Sequence, residues 1–272
     1  MTDELPWAAS NRAWWDERTP IHSASEFYDL EGFVDDPTST HLRQFEIDDV
    51  GDVAGKTLLH AQCHFGLDTL SWGRRGARAT GLDFSEPAVE TARRVAAEIG
   101  VEADFVAGNV YDAVELVGGR TFDVVYTGLG ALVWLPDIRR WASVMAELVA
   151  PGGFLYLAEF HPITEVFGDG GLVVKHSYFQ DEAQVWDEPG TYVDFDAATK
   201  DNVSYQWTHP VGAVVTAIVE AGLTLELLHE HDYTLFERWP FLVHDAASRT
   251  YRVPDDQPSL PLMYSLRARR PG

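Results

Sequence analysis

From residue 57 onward, short apolar runs alternate with amphipathic stretches. Residues 57–62 read as a buried strand, and 67–75 as a helix closed by Gly76. A second strand is predicted over 77–82. Ser85 then suits an N-cap, with Pro87 in the first turn of a helix. That helix places Ala88, Val89, Ala92, Val95, Ala96 and Ile99 on one face and stops at Gly100. Residues 103–107 give a third strand. The fourth, 122–127, carries the run Val124-Val125-Tyr126, which suits a strand buried on both faces. A helix over 137–150 turns Ile138, Trp141, Ala142, Met145, Leu148 and Val149 inward. Pro151-Gly152-Gly153 ends it and leads into a fifth strand, 154–159. Alternation of this kind predicts an α/β fold with a doubly wound, mostly parallel sheet.

The flanks are less periodic. The first fifty residues, with Trp14-Trp15-Asp16-Glu17-Arg18 and Phe27-Tyr28, read as short helices and a loop, not a separate domain. Residues 48–55 are a turn-rich lead into the main fold. Residues 161–209 are rich in aromatics, Gly and Asp. There Leu172-Val173-Val174-Lys175-His176 and Thr191-Tyr192-Val193-Asp194-Phe195 suggest hairpin strands of a β-rich insertion after strand five. A helix over 211–221, a strand over 224–231, a loop rich in Pro and aromatics, and a last strand over 262–268 predict an antiparallel C-terminal hairpin on the sheet. The expected organisation is one domain, 1–272. It comprises a cap (1–50), a ligand-binding core (56–160), the insertion (161–209) and a return to the core (210–272).

Composition narrows the classes. At 272 residues and 46% hydrophobic content, the chain can bury a large core. No run of eighteen apolar residues predicts a membrane span, and the acidic start of the chain has no signal-peptide core. Cys63 is the only cysteine, so no internal disulfide forms, which fits a reducing cytoplasm. Twenty basic against 43 acidic residues give a formal charge of −23. Such a field repels nucleic acid and anionic lipid, despite the Arg267, Arg269 and Arg270 cluster. The sequence assigns no oligomeric state.

Ligands of open α/β sheets bind outside the carboxyl ends of the strands. Those ends carry Gln62, Cys63, His64, Phe65 and Gly66 after strand one, and Asp83 and Phe84 after strand two. Gly108, Asn109 and Val110 follow strand three, Thr127 and Gly128 strand four, and Glu159, Phe160 and His161 strand five. A carboxylate such as Asp83 can accept from two ribose hydroxyls. Its plainer role is a charge favoured at a helix N-terminus. Asn109 can meet an adenine edge, or be a turn residue tolerant of left-handed backbone. Phe84 can pack on a purine.

These segments, with the Leu148 to Gly153 turn, resemble class I S-adenosylmethionine-dependent methyltransferases on a Rossmann-like sheet. Residues 59–69, 80–85 and 159–162, with 15–22 and Phe27-Tyr28, are similar to an uncharacterised bacterial subgroup carrying a Gln-Cys-His-Phe-Gly turn. The resemblance implies S-adenosyl-L-methionine as cofactor. Gln62, Cys63, His64 and Gly66 would lie by its methionine end. Asp83 and Phe84 would lie by the ribose and purine, with Gly108, Asn109 and Val110 at the adenine edge. Thr127 and Gly128 would lie beneath the sulfonium. Trp15, Arg18 or Tyr28 would close over it, although Arg18 also reads as a surface residue.

The chain departs from the family at two points. His60 stands where strand one usually has an acid, and of the turn glycines only Gly66 remains. Gln62 and His64 must therefore accept a geometry that glycine adopts freely, or change it. At the methyl group a general base is needed only if the acceptor loses a proton. His161 is the candidate, its plainer reading being a structural histidine before Pro162; His209, also before a proline, is the weaker one. No metal motif appears. The expected function is methylation of a small apolar or aromatic molecule in the cytoplasm. The alternatives are a non-catalytic nucleoside-binding protein and an NAD-dependent oxidoreductase. The turn lacks the glycines that cradle a pyrophosphate, which places the oxidoreductase last.

Overall fold

The computed structural model describes residues 6–168 and 171–272. The N-terminal cap comprises α1 (Pro6–Ser23), α2 (Leu30–Asp35) and α3 (Gln44–Val50). The core follows as β1 (Thr57–Ala61), α4 (Leu67–Arg74), β2 (Arg78–Asp83), α5 (Glu86–Ile99), β3 (Ala103–Ala107), α6 (Ala113–Leu116), β4 (Phe122–Thr127), α7 (Ile138–Leu148) and β5 (Val149–Phe160). After β5 come β6 (Gln184–Asp187), β7 (Val203–Gln206), α8 (Val211–Glu220) and β8 (Thr224–His231). The chain ends with β9 (Tyr233–Thr234), β10 (Val243–Asp245), β11 (Thr250–Arg252) and β12 (Met263–Arg269).

Seven strands form one sheet in the order β3-β2-β1-β4-β5-β12-β8. Neighbours are parallel except β12, which runs antiparallel to both β5 and β8. The expected antiparallel C-terminal hairpin is thus formed by β8 and β12, which pair directly. β12 occupies the slot between β5 and β8, and the expected loop carries the small sheet β10-β11-β9. Along each strand the side chains alternate between faces. Leu59, Ala61, Val125 and Leu155 pack with Trp141 and Met145 of α7 and with Val214 and Ile218 of α8. Leu58, Val124, Tyr126 and Tyr156 face Val50 of α3 and Trp72 of α4.

Order reverses between β1 and β4, whose registers place Ala61 beside Leu82 and Thr127. A crevice at such a reversal is where open α/β sheets bind ligands. Local sequence fixes the helices that frame it. Ser85 caps α5 by accepting from Ala88 N at 3.3 Å, and Gly100 ends it in left-handed backbone. The α7 helix stops at Leu148, so Val149 and the following Pro-Gly-Gly lengthen β5 instead of the helix.

The flanks differ from expectation. In the cap, α1 is a long helix of 18 residues, whereas α2 and α3 are short, of 6 and 7 residues, as expected. The insertion's ladder is β6 with β7, whereas the two segments expected as strands make only single bridges, Phe167 to Val174 and Thr191 to Asp194. The cap and insertion pack as one body. Asn11 exchanges two hydrogen bonds with the Tyr205 backbone, at 2.9 and 2.8 Å. Glu17 accepts from the N–H groups of Lys200 and Asp201.

Candidate functional site

The turn between β1 and α4 takes the glycine geometry without the glycines. Gln62 and His64 adopt φ of 60° and 52°, and Gly66 has φ of 81° as the α4 N-cap. Left-handed backbone costs a side-chain-bearing residue roughly 1–2 kcal/mol. Specific bonds hold it here. Cys63 N donates to Leu82 O at 2.9 Å, and His64 N donates to Asp83 Oδ2 at 2.7 Å. Gln62 Nε2 reaches across to Ala131 O at 2.9 Å. At Gly66 a Cβ would lie 2.7 Å from the Phe105 ring and 2.9 Å from Ala92 Cβ. Gly66→Ala is therefore expected to destabilise the fold by roughly 2–5 kcal/mol, combining left-handed strain with overpacking. Urea denaturation measures it, and a loss below 1 kcal/mol would contradict the packing argument.

A cleft of about 110 Å³ opens at the β1 and β4 ends, lined by Gln62, Cys63, His64, Gly66 and Gly128, with Tyr28, His60 and Asp68. The sequence-predicted residues of the turn and of strand four thus meet. Two buried side-chain atoms on this lining, Gln62 Oε1 and His64 Nε2, have no hydrogen-bond partner, and neither does Thr127 Oγ1 at the end of β4. The His64 imidazole is held neutral by burial. The Cys63 thiol, packed beside Phe65 and Phe105, is pushed well up by burial and by the Asp83 charge.

Asp83 joins the turn to the next strand end. Besides His64 N, its carboxylate accepts from Ser85 N at 3.0 Å through Oδ1. Burial, with Asp16 nearby, pushes it up to about 6 although both backbone bonds favour the anion. Gly108 N donates to Asp83 O at 2.8 Å, so the end of β3 is tied alongside. Asn109 turns its carbonyl oxygen to Tyr111 N at 3.0 Å as a cap. Val110 is buried in the main core, and Phe84 is half-buried.

Aromatic rings from the cap enclose His64. Trp15 lies 5.1 Å from it between centroids, His22 5.2 Å and Tyr28 5.5 Å. Trp134, after β4, meets Trp14 and Trp15. Arg18 takes neither role expected of it. It is fully buried, and its guanidinium points into the insertion, donating to Gly190 O at 2.9 Å and Asp201 O at 2.8 Å.

His161 sits apart, in a second cavity of about 180 Å³ with Gly130, Glu159, Trp207, His209 and Tyr264. Its Nδ1 accepts from Ile163 N at 3.1 Å, and Nε2 faces Glu230 Oε1 at 3.1 Å. With both ring nitrogens engaged it has no free lone pair for an acceptor's proton, and its geometry is that of a cap on the 162–166 turn. Glu159 pins the wall between the cavities. Its carboxylate accepts from the N–H groups of Gly130, Leu132 and Phe160, at 2.7–2.9 Å. Burial pushes it up to about 7. Sequence reasoning missed His22, Trp134 and Asp68. The first two are brought in by tertiary packing, and an acid in a first helical turn reads as ordinary dipole stabilisation.

Residues 59–155 match the family model described as a methyltransferase domain. Over 139 residues the chain is 32% identical to a ubiquinone biosynthesis O-methyltransferase of Erwinia tasmaniensis, covering 50% of this chain and 56% of that one. A Pseudomonas paraeruginosa protein of the same name is 33% identical over 145 residues, covering 53% and 56%. The match thus spans little more than half the length of these relatives. Among solved structures, the CcbJ methyltransferase of Streptomyces caelestis superposes with a TM-score of 0.60 at 15% identity, covering 96% of this chain and 98% of that one. A putative S-adenosylmethionine-dependent methyltransferase of Listeria monocytogenes gives 0.59 at 14%, covering 93% and 100%. These likenesses show the shared fold. The domain match over residues 59–155, on a sheet of this order with its turn at the β1–β4 crevice, agrees with the resemblance of this part of the chain to class I S-adenosylmethionine-dependent methyltransferases.

Proposed function

We propose that this chain transfers a methyl group from S-adenosyl-L-methionine to a small apolar or aromatic acceptor. The observation that carries this reading is the turn itself. Gln62 and His64 hold glycine-like geometry and present buried, unpartnered Gln62 Oε1 and His64 Nε2 beside the strand-end cleft. A polar group left unpaired in a buried site costs about 1–3 kcal/mol, so a polar ligand is the natural partner. The residues fit the cofactor: the turn for its amino-acid end, Asp83 for the ribose, and the Asn109 amide, whose carbonyl is already engaged, for the adenine edge.

The bound cofactor supplies an electrophilic methyl on a sulfonium. The chain supplies alignment and a dry site. Gln62, bridging to Ala131, fixes the turn against the 128–132 loop, and Glu159 holds that loop from the acceptor side. Trp14, Trp15, Trp134 and Tyr28 exclude water. Acceptor selection is assigned to the second cavity, whose Phe160, Trp207 and Tyr264 favour a flat apolar molecule. Each cavity is smaller than the roughly 300 Å³ of an ordinary small-molecule site.

Calorimetric titration with S-adenosylmethionine, S-adenosylhomocysteine and NAD, followed by labelled-methyl transfer to a panel of phenols and other ring compounds, tests the reading. Failure of the first two to bind would reject it. Binding should also depend on pH. A ribose diol donates to the ionised Asp83 carboxylate, and below about pH 6 the free protein holds a proton there. Affinity for S-adenosylhomocysteine is expected to rise with pH through about 6 and on through about 7, where Asp68 of the same cleft also ionises, by up to tenfold per unit for each proton released. His22 and His60, held down at about 3, stay neutral throughout and add nothing. A flat affinity between pH 5 and 8 would exclude this linkage.

A further inference from the structure

The strand-end cleft holds one formal charge, and it is negative. Among the described residues on its lining, Asp68, the second residue of α4, is the only acidic side chain, and none is Lys or Arg. His41, His60 and His64 border the same space but are held neutral at pH 7 by burial, the first two at about 4 and 3. Among the described residues no cation lies within ion-pair distance of Asp68. Arg43 acts on it only at longer range, while Glu46 adds like charge. Burial and Glu46 push the Asp68 carboxyl up to about 7, so the site strongly favours an arriving cation.

Geometry points the same way. A Cβ at Gly128 would lie 3.5 Å from both Asp68 Oδ2 and His60 Nε2, so the bare glycine leaves space in front of both groups. His60 is fixed by Thr69 Oγ1, 2.8 Å from its Nδ1, and is 3% exposed. It occupies the strand position where the resemblance leads one to expect an acid. Asp68 returns a carboxylate to the same spot from the helix, beside the unpartnered Gln62 Oε1 and His64 Nε2.

We propose that Asp68 binds the α-ammonium group of the cofactor's methionine end, replacing the strand-one acid that this chain has exchanged for His60. The assignment rests on the cofactor reading above. It separates Asp68, which meets the amino acid, from Asp83, which meets the ribose.

The test compares two ligands on the full chain. S-adenosylhomocysteine carries the amino acid end, whereas 5′-methylthioadenosine has the same nucleoside and a thioether sulfur without it. Asp68→Asn keeps the shape and removes the charge. It is expected to weaken S-adenosylhomocysteine by about 10–100-fold, the scale of a charge-assisted hydrogen bond. Its affinity for 5′-methylthioadenosine should stay within about twofold, since no contact to that ligand is removed. Asp68→Glu should recover part of the loss, and thermal unfolding checks that both variants fold. Equal weakening of the two ligands, or no change in either, would overturn the assignment while leaving the cofactor reading intact. Wild-type protein that binds neither ligand would overturn both.

Discussion

Arg18→Ala is expected to lower stability by roughly 3–5 kcal/mol, among the largest effects of any single substitution outside the sheet. The guanidinium is fully buried and, among the described residues, has no carboxylate in hydrogen-bond contact; Glu17 approaches only to 3.9 Å. Instead it donates to the carbonyls of Gly190, Asp201, Trp14 and Glu188, and to Thr199 Oγ1 and Asn202 Oδ1. Removing it strands several buried acceptors at once, each costing about 1–3 kcal/mol if water cannot reach it. Lysine keeps the charge but offers one nitrogen where five donors in a planar fork are used, so Arg18→Lys should recover less than half of the loss. For a domain of this length the alanine variant should melt roughly 6–20 °C lower. Hydrogen exchange should accelerate in residues 188–202 and along α1. A melting point within 2 °C of wild type, with unchanged exchange, would show that the cap is held by its aromatic contacts alone.

The same residue shows why the cap was the least legible part of the sequence. Helix periodicity reports burial against a core. α1 instead buries Asn11, Arg18 and His22 against an insertion roughly 170–190 residues away in sequence, and Thr19 against Ser85 at the start of α5, so its inward face is polar. The insertion fails for a related reason. Val173, Val174 and Phe195 have strand-like character but are 65–82% exposed, while β6 and β7 carry no clear alternation. The core was legible because its central strands β1, β2, β4 and β5 are largely buried on both faces. The sequence boundaries of β3, β4 and β8 coincide with the structure, each set by a glycine, a polar turn or a capping residue. At the site, the turn was legible as a departure from glycine. That Gln62 and His64 would take positive φ without repositioning the chain was not, because it depends on Asp83 and Ala131 as distant partners.

Asp83→Ala is expected to weaken S-adenosylhomocysteine binding by roughly 1.5–3 kcal/mol, about 10–100-fold. Two losses combine. The ribose loses its carboxylate, and His64 N and Ser85 N lose their acceptor, which loosens the left-handed turn and the start of α5. The effect on folding should be smaller than on binding. Burial already penalises this carboxylate, as its rise to about 6 records, and alanine removes that penalty along with the bonds. Asp83→Asn separates the two contributions. Its amide offers one acceptor oxygen where two N–H donors converge from opposite sides, so one donor must face an NH₂ group. Asparagine should therefore destabilise the fold as much as alanine or more, while keeping one acceptor for the ribose. If calorimetry gives both variants the wild-type affinity, Asp83 is only the turn's scaffold, and the ribose is held elsewhere. If Asn binds as poorly as Ala while melting lower, the turn's geometry, more than the ribose contact, sets cofactor affinity.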